Sequence, residues 1–184
     1  HEQGLALANK PDSQEICFIP GGDYKQFLDA YLADQGETMP DTSGELVTTT
    51  GEVVGHHAGI HNFTVGQRKG LGLGSSGSVT AGSPLYVIGI NGADRKVVVG
   101  GSEELFSKTL RANRLNWIAI PQLEGSLRVQ VKIRHRHEPA RATLEMSGKN
   151  EVIATFDEPQ RAVTPGQAAV FYNEDEVVGG GWIL

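Results

Sequence analysis

Cys17 is the side chain best suited to nucleophilic or sulfur chemistry, and it is the only cysteine among 184 residues. In Ile16-Cys17-Phe18-Ile19 its neighbours are apolar, and a free cysteine in such company often serves as a small buried hydrophobe. Two features oppose that reading. Pro20-Gly21-Gly22 sets a turn close by, and an expected helix start follows, where free backbone amides favour thiolate over thiol. The local sequence leaves both readings open. A lone thiol has no internal disulfide partner, which excludes a disulfide-stapled secreted fold and makes the cytoplasm the expected compartment.

The second candidate is a basic strand over residues 127–136. Leu127, Val129, Val131 and Ile133 alternate with polar residues, so a period of two sends them to the core. The same period turns Arg128, Lys132, Arg134 and Arg136 outward together, as a phosphate-contacting surface would need. A solvated strand face with Glu138 nearby accounts for the pattern equally well. His135 has the inward parity and is expected to be packed. The third candidate is the loop Gly66-Gln67-Arg68-Lys69-Gly70-Leu71-Gly72, where glycines let the main chain approach a phosphate backbone and two cations meet it. Its bland counterpart is a tight surface turn.

Other patterns carry less. Gly72-Leu73-Gly74-Ser75-Ser76-Gly77 has dinucleotide-fingerprint spacing, but a strand-like Pro84-Leu85-Tyr86-Val87 follows where a helix is required. Lys69 is followed by Gly70, not Ser or Thr, so there is no Walker A loop. His56, His57 and His61 lack the helix, carboxylate or further cysteines of a metal site, and no metal is expected. A Cys-His hydrolase, with one of these histidines activating Cys17, rests only on the presence of both residue types.

The elements that would position these residues are mostly short strands. Composition is ordinary for a globular chain, with 24 glycines and no apolar run long enough for a membrane span. The net charge of −6 is unevenly spread, at −8 over residues 1–60 and +2 over the rest, which keeps a local basic surface available. The sequence begins His1-Glu2-Gln3, without a targeting signature, and reads as starting within a longer polypeptide. A strand is expected at 13–19, then a helix capped by Asp23 with Tyr24, Phe27, Leu28, Tyr31 and Leu32 on one face. Hairpins follow at 45–56, around Thr50-Gly51, and at 85–99, around Asn91-Gly92-Ala93-Asp94. Six strands at 111–118, 127–136, 141–146, 152–156, 168–172 and 177–183 predict a small closed barrel, since closure removes exposed edges. The fold class is therefore mainly β. A small α+β central domain with the cysteine segment spans 1–105, and a six-stranded antiparallel barrel spans 106–184.

Three segments, in order from about Lys10 to Trp182, resemble the tRNA-specific 2-thiouridylases. The first is Lys10-Pro11-Asp12-Ser13-Gln14-Glu15-Ile16-Cys17-Phe18-Ile19. The second is Gly55-His56-His57-Ala58-Gly59-Ile60-His61, continuing through Phe63-Thr64-Val65 into the Gly66–Gly72 loop. The third joins Phe156-Asp157-Glu158-Pro159 to 162–172 and Gly179-Gly180-Gly181. The resemblance implies a barrel like the second domain of translation factors, and an amino-terminal ATP-pyrophosphatase domain that this sequence lacks. It implies that ATP, bound by that domain, activates the wobble uridine. It further implies that a cysteine persulfide, loaded by a sulfur-donor protein, delivers the sulfur. Cys17 matches the second of two family cysteines, which cooperate through a transient disulfide. The tRNA anticodon stem-loop would be held by Gln67, Arg68 and Lys69, and by Arg128, Lys132, Arg134 and Arg136. The chain alone is then expected to be inactive, with no cofactor of its own and no membrane partner. A non-catalytic RNA-binding module on the same barrel is the rival reading, and it would make Cys17 irrelevant.

Overall fold

The structure is a computed structural model and describes residues 24–73 and 84–184. Cys17, the strand expected at 13–19 and the Asp23 cap lie outside the described residues. Packing divides the chain into two units, His1–Asp41 and Thr42–Leu184.

In the first unit, helix α1 (Tyr24–Asp34) forms as expected, but its apolar stripe is covered only in part: Phe27, Leu28 and Leu32 are half-buried, whereas Tyr31 is exposed, its ring stacked on Phe27 at 6.3 Å. It ends where Gly36 takes a left-handed conformation (φ 72°), which lets the Glu37 and Gly36 amides reach back to the carbonyls of Leu32 and Ala33.

The second unit opens with a four-stranded sheet of β1 (Gly44–Thr48), β2 (Val53–His57), β3 (Tyr86–Asn91) and β4 (Lys96–Gly100), in the order β2-β1-β4-β3. Both expected hairpins form, and β1 lies parallel to β4 at the centre. Leu46, Val87, Val97 and Val99 make its core, joined by Leu71 from the loop between the hairpins.

The barrel is closed in the order β10-β5-β8-β7-β6-β9. Its strands are β5 (Phe106–Trp117), β6 (Ser126–Lys132), β7 (Ala140–Gly148), β8 (Glu151–Arg161), β9 (Ala168–Asn173) and β10 (Glu176–Ile183). Every neighbouring pair is antiparallel, and alternate residues such as Val129, Val131, Ala142, Leu144, Ala169 and Phe171 fill the interior. All six expected strands are present, with differences at their ends. β8 runs through Pro159 because its register against β5 jumps between Thr155 and Gln160, so no ladder hydrogen bond is needed from the proline. β5 begins at Phe106, whose partner is Arg161, and this extension ties the barrel to the sheet.

One strand is shorter than its alternation suggests. β6 stops at Lys132, and residues 134–136 form a turn closed by the His137 amide donating to the Arg134 carbonyl (3.1 Å). The period of two fails there, which corrects the placement of His135: it is exposed, and His137 is the buried histidine.

Candidate nucleic-acid interface

The Gly66–Gly72 loop is built to hold its cations at a fixed place. The Gly66 amide donates to the Val87 carbonyl (2.8 Å) and the Val87 amide to the Gln67 carbonyl (2.9 Å), so the loop begins as an extra rung on β3. Gln67 braces the turn from within: its Oε1 accepts from the Thr64 amide (3.0 Å) and its Nε2 donates to the Lys69 carbonyl (2.9 Å). Gly66 and Gly70 take left-handed φ values of 90° and 75°, which strain any residue with a Cβ. Leu71 then plugs the sheet core, leaving Arg68 and Lys69 exposed between two anchored ends. Gln67 is thus a scaffold for the turn, and Arg68 and Lys69 are its charged tip.

That loop meets the barrel at one segment, Arg161–Ala162. A Cβ placed on Gly66 would lie 3.2 Å from the Ala162 methyl, and the Ala162 amide donates to the Leu105 carbonyl (2.9 Å). The Arg161 guanidinium lies 5.1 Å from the centre of the Tyr86 ring, a cation–π contact between barrel and sheet. Arg134, from the turn after β6, donates to the Arg161 carbonyl (3.0 Å). The loop and the β6 turn therefore meet adjacent residues, Gly66 lying against Ala162 and Arg134 against Arg161, although they are separated by more than sixty positions in sequence. Arg161 was not singled out by the sequence pattern. Its position just before Ala162-Val163-Thr164-Pro165-Gly166, within a stretch that already resembled the family, was the signal available.

The four cations of the basic strand do not share one fate. Arg128 makes a two-pronged ion pair with Asp157 (2.8 and 2.7 Å) and donates to the Thr143 hydroxyl (3.0 Å). The Arg128 hydrogen bond holds the Asp157 carboxyl below the usual carboxylate range, and the same pairing raises the guanidinium. Arg111 and Glu151 make a second ion pair on the neighbouring strands, in which Arg111 Nε and Nη2 and the Ser147 hydroxyl all donate to Glu151 Oε1. Lys132 and Arg134 instead flank a groove of about 430 Å³, whose lining also includes His135, Gln167 and Tyr172 and, among the described residues, no carboxylate. Their field is felt by His137: burial above all, then Arg134 and Lys132, push its pKa down, against a hydrogen bond to Gln160 (2.9 Å) that raises it. Arg136 lies in the exposed turn beside them.

Of the three histidines at the end of β2 and just after it, His57 is buried, with Nε2 against the Arg95 carbonyl (3.2 Å) and its ring edge-on to Phe63. His61 reaches the Thr42 hydroxyl (3.2 Å) and His56 is exposed. Among the described residues no cluster could hold a metal ion. No described helix is long and apolar enough to cross a membrane.

Comparison with known proteins agrees with this architecture. Residues 25–101 match the domain family described as a tRNA methyl transferase PRC-barrel domain, and residues 107–183 match the aminomethyltransferase beta-barrel domain. The tRNA-specific 2-thiouridylase MnmA of Koribacter versatilis is 67% identical over 180 residues, covering 98% of this chain and 47% of that protein. Those of Acidobacterium capsulatum and Solibacter usitatus are 65% and 54% identical, over 48% and 47% of their lengths. The chain spans about half the length of the curated relatives it matches, and it belongs to the tRNA-specific 2-thiouridylase family.

Proposed function

We propose that this chain is the tRNA-gripping and second-cysteine portion of an enzyme that replaces oxygen by sulfur on a tRNA uridine. The observation that carries the grip is the convergence of the Arg68-Lys69 loop and the Lys132-Arg134 end of β6 on Arg161–Ala162. Cations anchored on two rigid elements suit a phosphate backbone, which fixes register and orientation before any base is handled. Arg128 belongs to that surface only by exchanging Asp157 for a phosphate.

The relatives' name points to sulfur chemistry on uridine, and Cys17, the one thiol in the sequence, is the group suited to it. Cys17 carries a terminal sulfur as a persulfide received from a donor protein, and that sulfur attacks C2 of the uridine. ATP, handled by the portion of the relatives that this chain does not span, makes the uridine O2 a leaving group. A second cysteine in that portion then attacks the Cys17 Sγ. The Sγ–sulfur bond breaks, its electron pair stays with the new thiocarbonyl, and a disulfide forms that an external thiol must reduce. The uridine has to leave its stack to reach a protein thiol. The Gly66–Gly72 loop returns through Leu71 into the sheet, not into a helix start, so it does not have the form of a phosphate-binding helix terminus.

The test is Cys17→Ser in the full-length parent, with ATP-dependent 2-thiouridine formation and tRNA affinity measured together. Lost thiolation with unchanged affinity is expected. Undiminished thiolation would reduce Cys17 to packing and leave the chain as an RNA-binding module.

A further inference from the structure

We propose that the outer wall of the barrel beside Trp182 stacks one unpaired base of the bound RNA; the proposal rests on the tRNA reading above. The two tryptophans are placed very differently. Trp117 packs against Phe171 at the barrel core (6.0 Å between ring centres), whereas Trp182 stands on the outside of β10, 49% exposed. It borders a groove of about 250 Å³ shared with Arg114, Ile118, Val170 and Gly180. That volume is below the roughly 300–1,000 Å³ of small-molecule pockets, which suits a single ring system better than a whole cofactor.

The groove exists because β10 carries no side chains over Gly179–Gly181. A Cβ on Gly180 would lie 2.7 Å from the Ala169 carbonyl oxygen, and one on Gly181 would lie 2.7 Å from that of Asn113. Strand spacing therefore demands glycine, and a bare strip beside the indole follows. Opposite Gly181 the ladder bulges, since Gly180 faces Asn116 but Trp182 faces Asn113. Arg114, at that bulge, is held in a left-handed conformation (φ 49°), and bulges re-aim side chains beside binding sites. Here the bulge places Arg114 in the lining of the groove.

Charge selects the occupant. Among the described residues the lining contains no carboxylate. Through Ala168 and Val170 it adjoins the Lys132–Arg134 groove, which has none either. By contrast, Arg111 and Arg128 on the same strands are paired with Glu151 and Asp157. An indole between unneutralised cations matches a nucleic-acid strand, which brings a flat ring and a phosphate in each unit. An apolar protein segment would cover the indole but leave Arg114, Lys132 and Arg134 without counter-charge.

The experiment uses the full chain with Trp117→Phe, so that Trp182 is the one emitting indole. A short single-stranded oligouridylate, an RNA duplex without unpaired bases and unmodified tRNA are each titrated against it. Quenching by the oligouridylate and tRNA, but not by the duplex, is expected. Trp182→Ala, made in the wild-type chain, should weaken oligouridylate binding about 5- to 150-fold, the cost of losing one stacked base, and leave duplex binding unchanged. Trp182→Phe should restore most of it. If tRNA binds with Lys132- and Arg134-dependent affinity while Trp182→Ala changes nothing, the stacking site is refuted and the grip stands. If no RNA binds the correctly folded chain, the grip itself fails and takes the stacking site with it. Self-association of the chain that Trp182→Ala abolishes, with RNA affinity unchanged, would assign the wall to a protein contact instead.

Discussion

The sharpest consequence of the barrel's charge layout concerns which cations reach phosphate. Arg128 is committed to Asp157 through two short hydrogen bonds, whereas Lys132 and Arg134 line a groove with no carboxylate among the described residues. Each phosphate contact contributes about 0.7–0.9 to the slope of log affinity against log salt, through counterion release. Replacing Lys132 and Arg134 together by glutamine should therefore flatten that slope for tRNA by about 1.5. Glutamine is chosen because its amide can still donate to the Arg161 carbonyl, as Arg134 does, so the junction is preserved while the charge goes. The control removes a pair whose charges cancel: Arg128→Ala with Asp157→Asn should leave the slope within about 0.3 of wild type. Fluorescence anisotropy of labelled unmodified tRNA, titrated with each protein over a series of KCl concentrations, gives both slopes. A larger loss from the Arg128–Asp157 replacement than from the glutamine pair would refute the reasoning.

Two further outcomes concern stability. Burial and the neighbouring cations push the His137 pKa below its ordinary value of about 6.5, so below that pH the unfolded chain binds a proton that the fold resists. Stability should be full above about pH 6.5 and decline as pH falls through the window beneath it; His137→Gln should flatten that decline in urea midpoints measured from pH 8 to 5. Phe171 is fully buried against Trp117, and Phe171→Ala should cost about 3–5 kcal/mol, enough to unfold a barrel of this size, as near-ultraviolet circular dichroism would show.

Much of this fold was legible because its strands are amphipathic and its turns carry strong local chemistry. Asn91-Gly92 and Thr50-Gly51 marked both sheet hairpins, and alternation in 127–133 marked the inner face of β6. Alternation misled only beyond Lys132, where the backbone turns and a pattern of side chains no longer reports on a strand. Pairing between distant segments was not legible. Nothing in the spacing of Arg128 names Asp157 as its partner, and nothing in Gly66 points to Ala162. Those contacts decide which cations are free for a ligand, so the sequence pattern grouped four arginines and lysines that the fold divides. Trp182 escaped notice for a related reason: the glycine run beside it reads as weak strand, and its exposure depends on the bulge at Arg114.

At the centre of the proposed function is one tRNA-gripping surface, formed at Arg161–Ala162 by the Arg68-Lys69 loop and the β6 turn. Amide hydrogen exchange of the full chain with and without unmodified tRNA tests it directly. Protection is expected over residues 67–72 and 133–136, with none over the β7–β8 hairpin at 147–151, where Glu151 is paired with Arg111. Protection of that hairpin with no change at 67–72 or 133–136 would contradict the account and put the RNA at the far end of β7, away from the β6 turn.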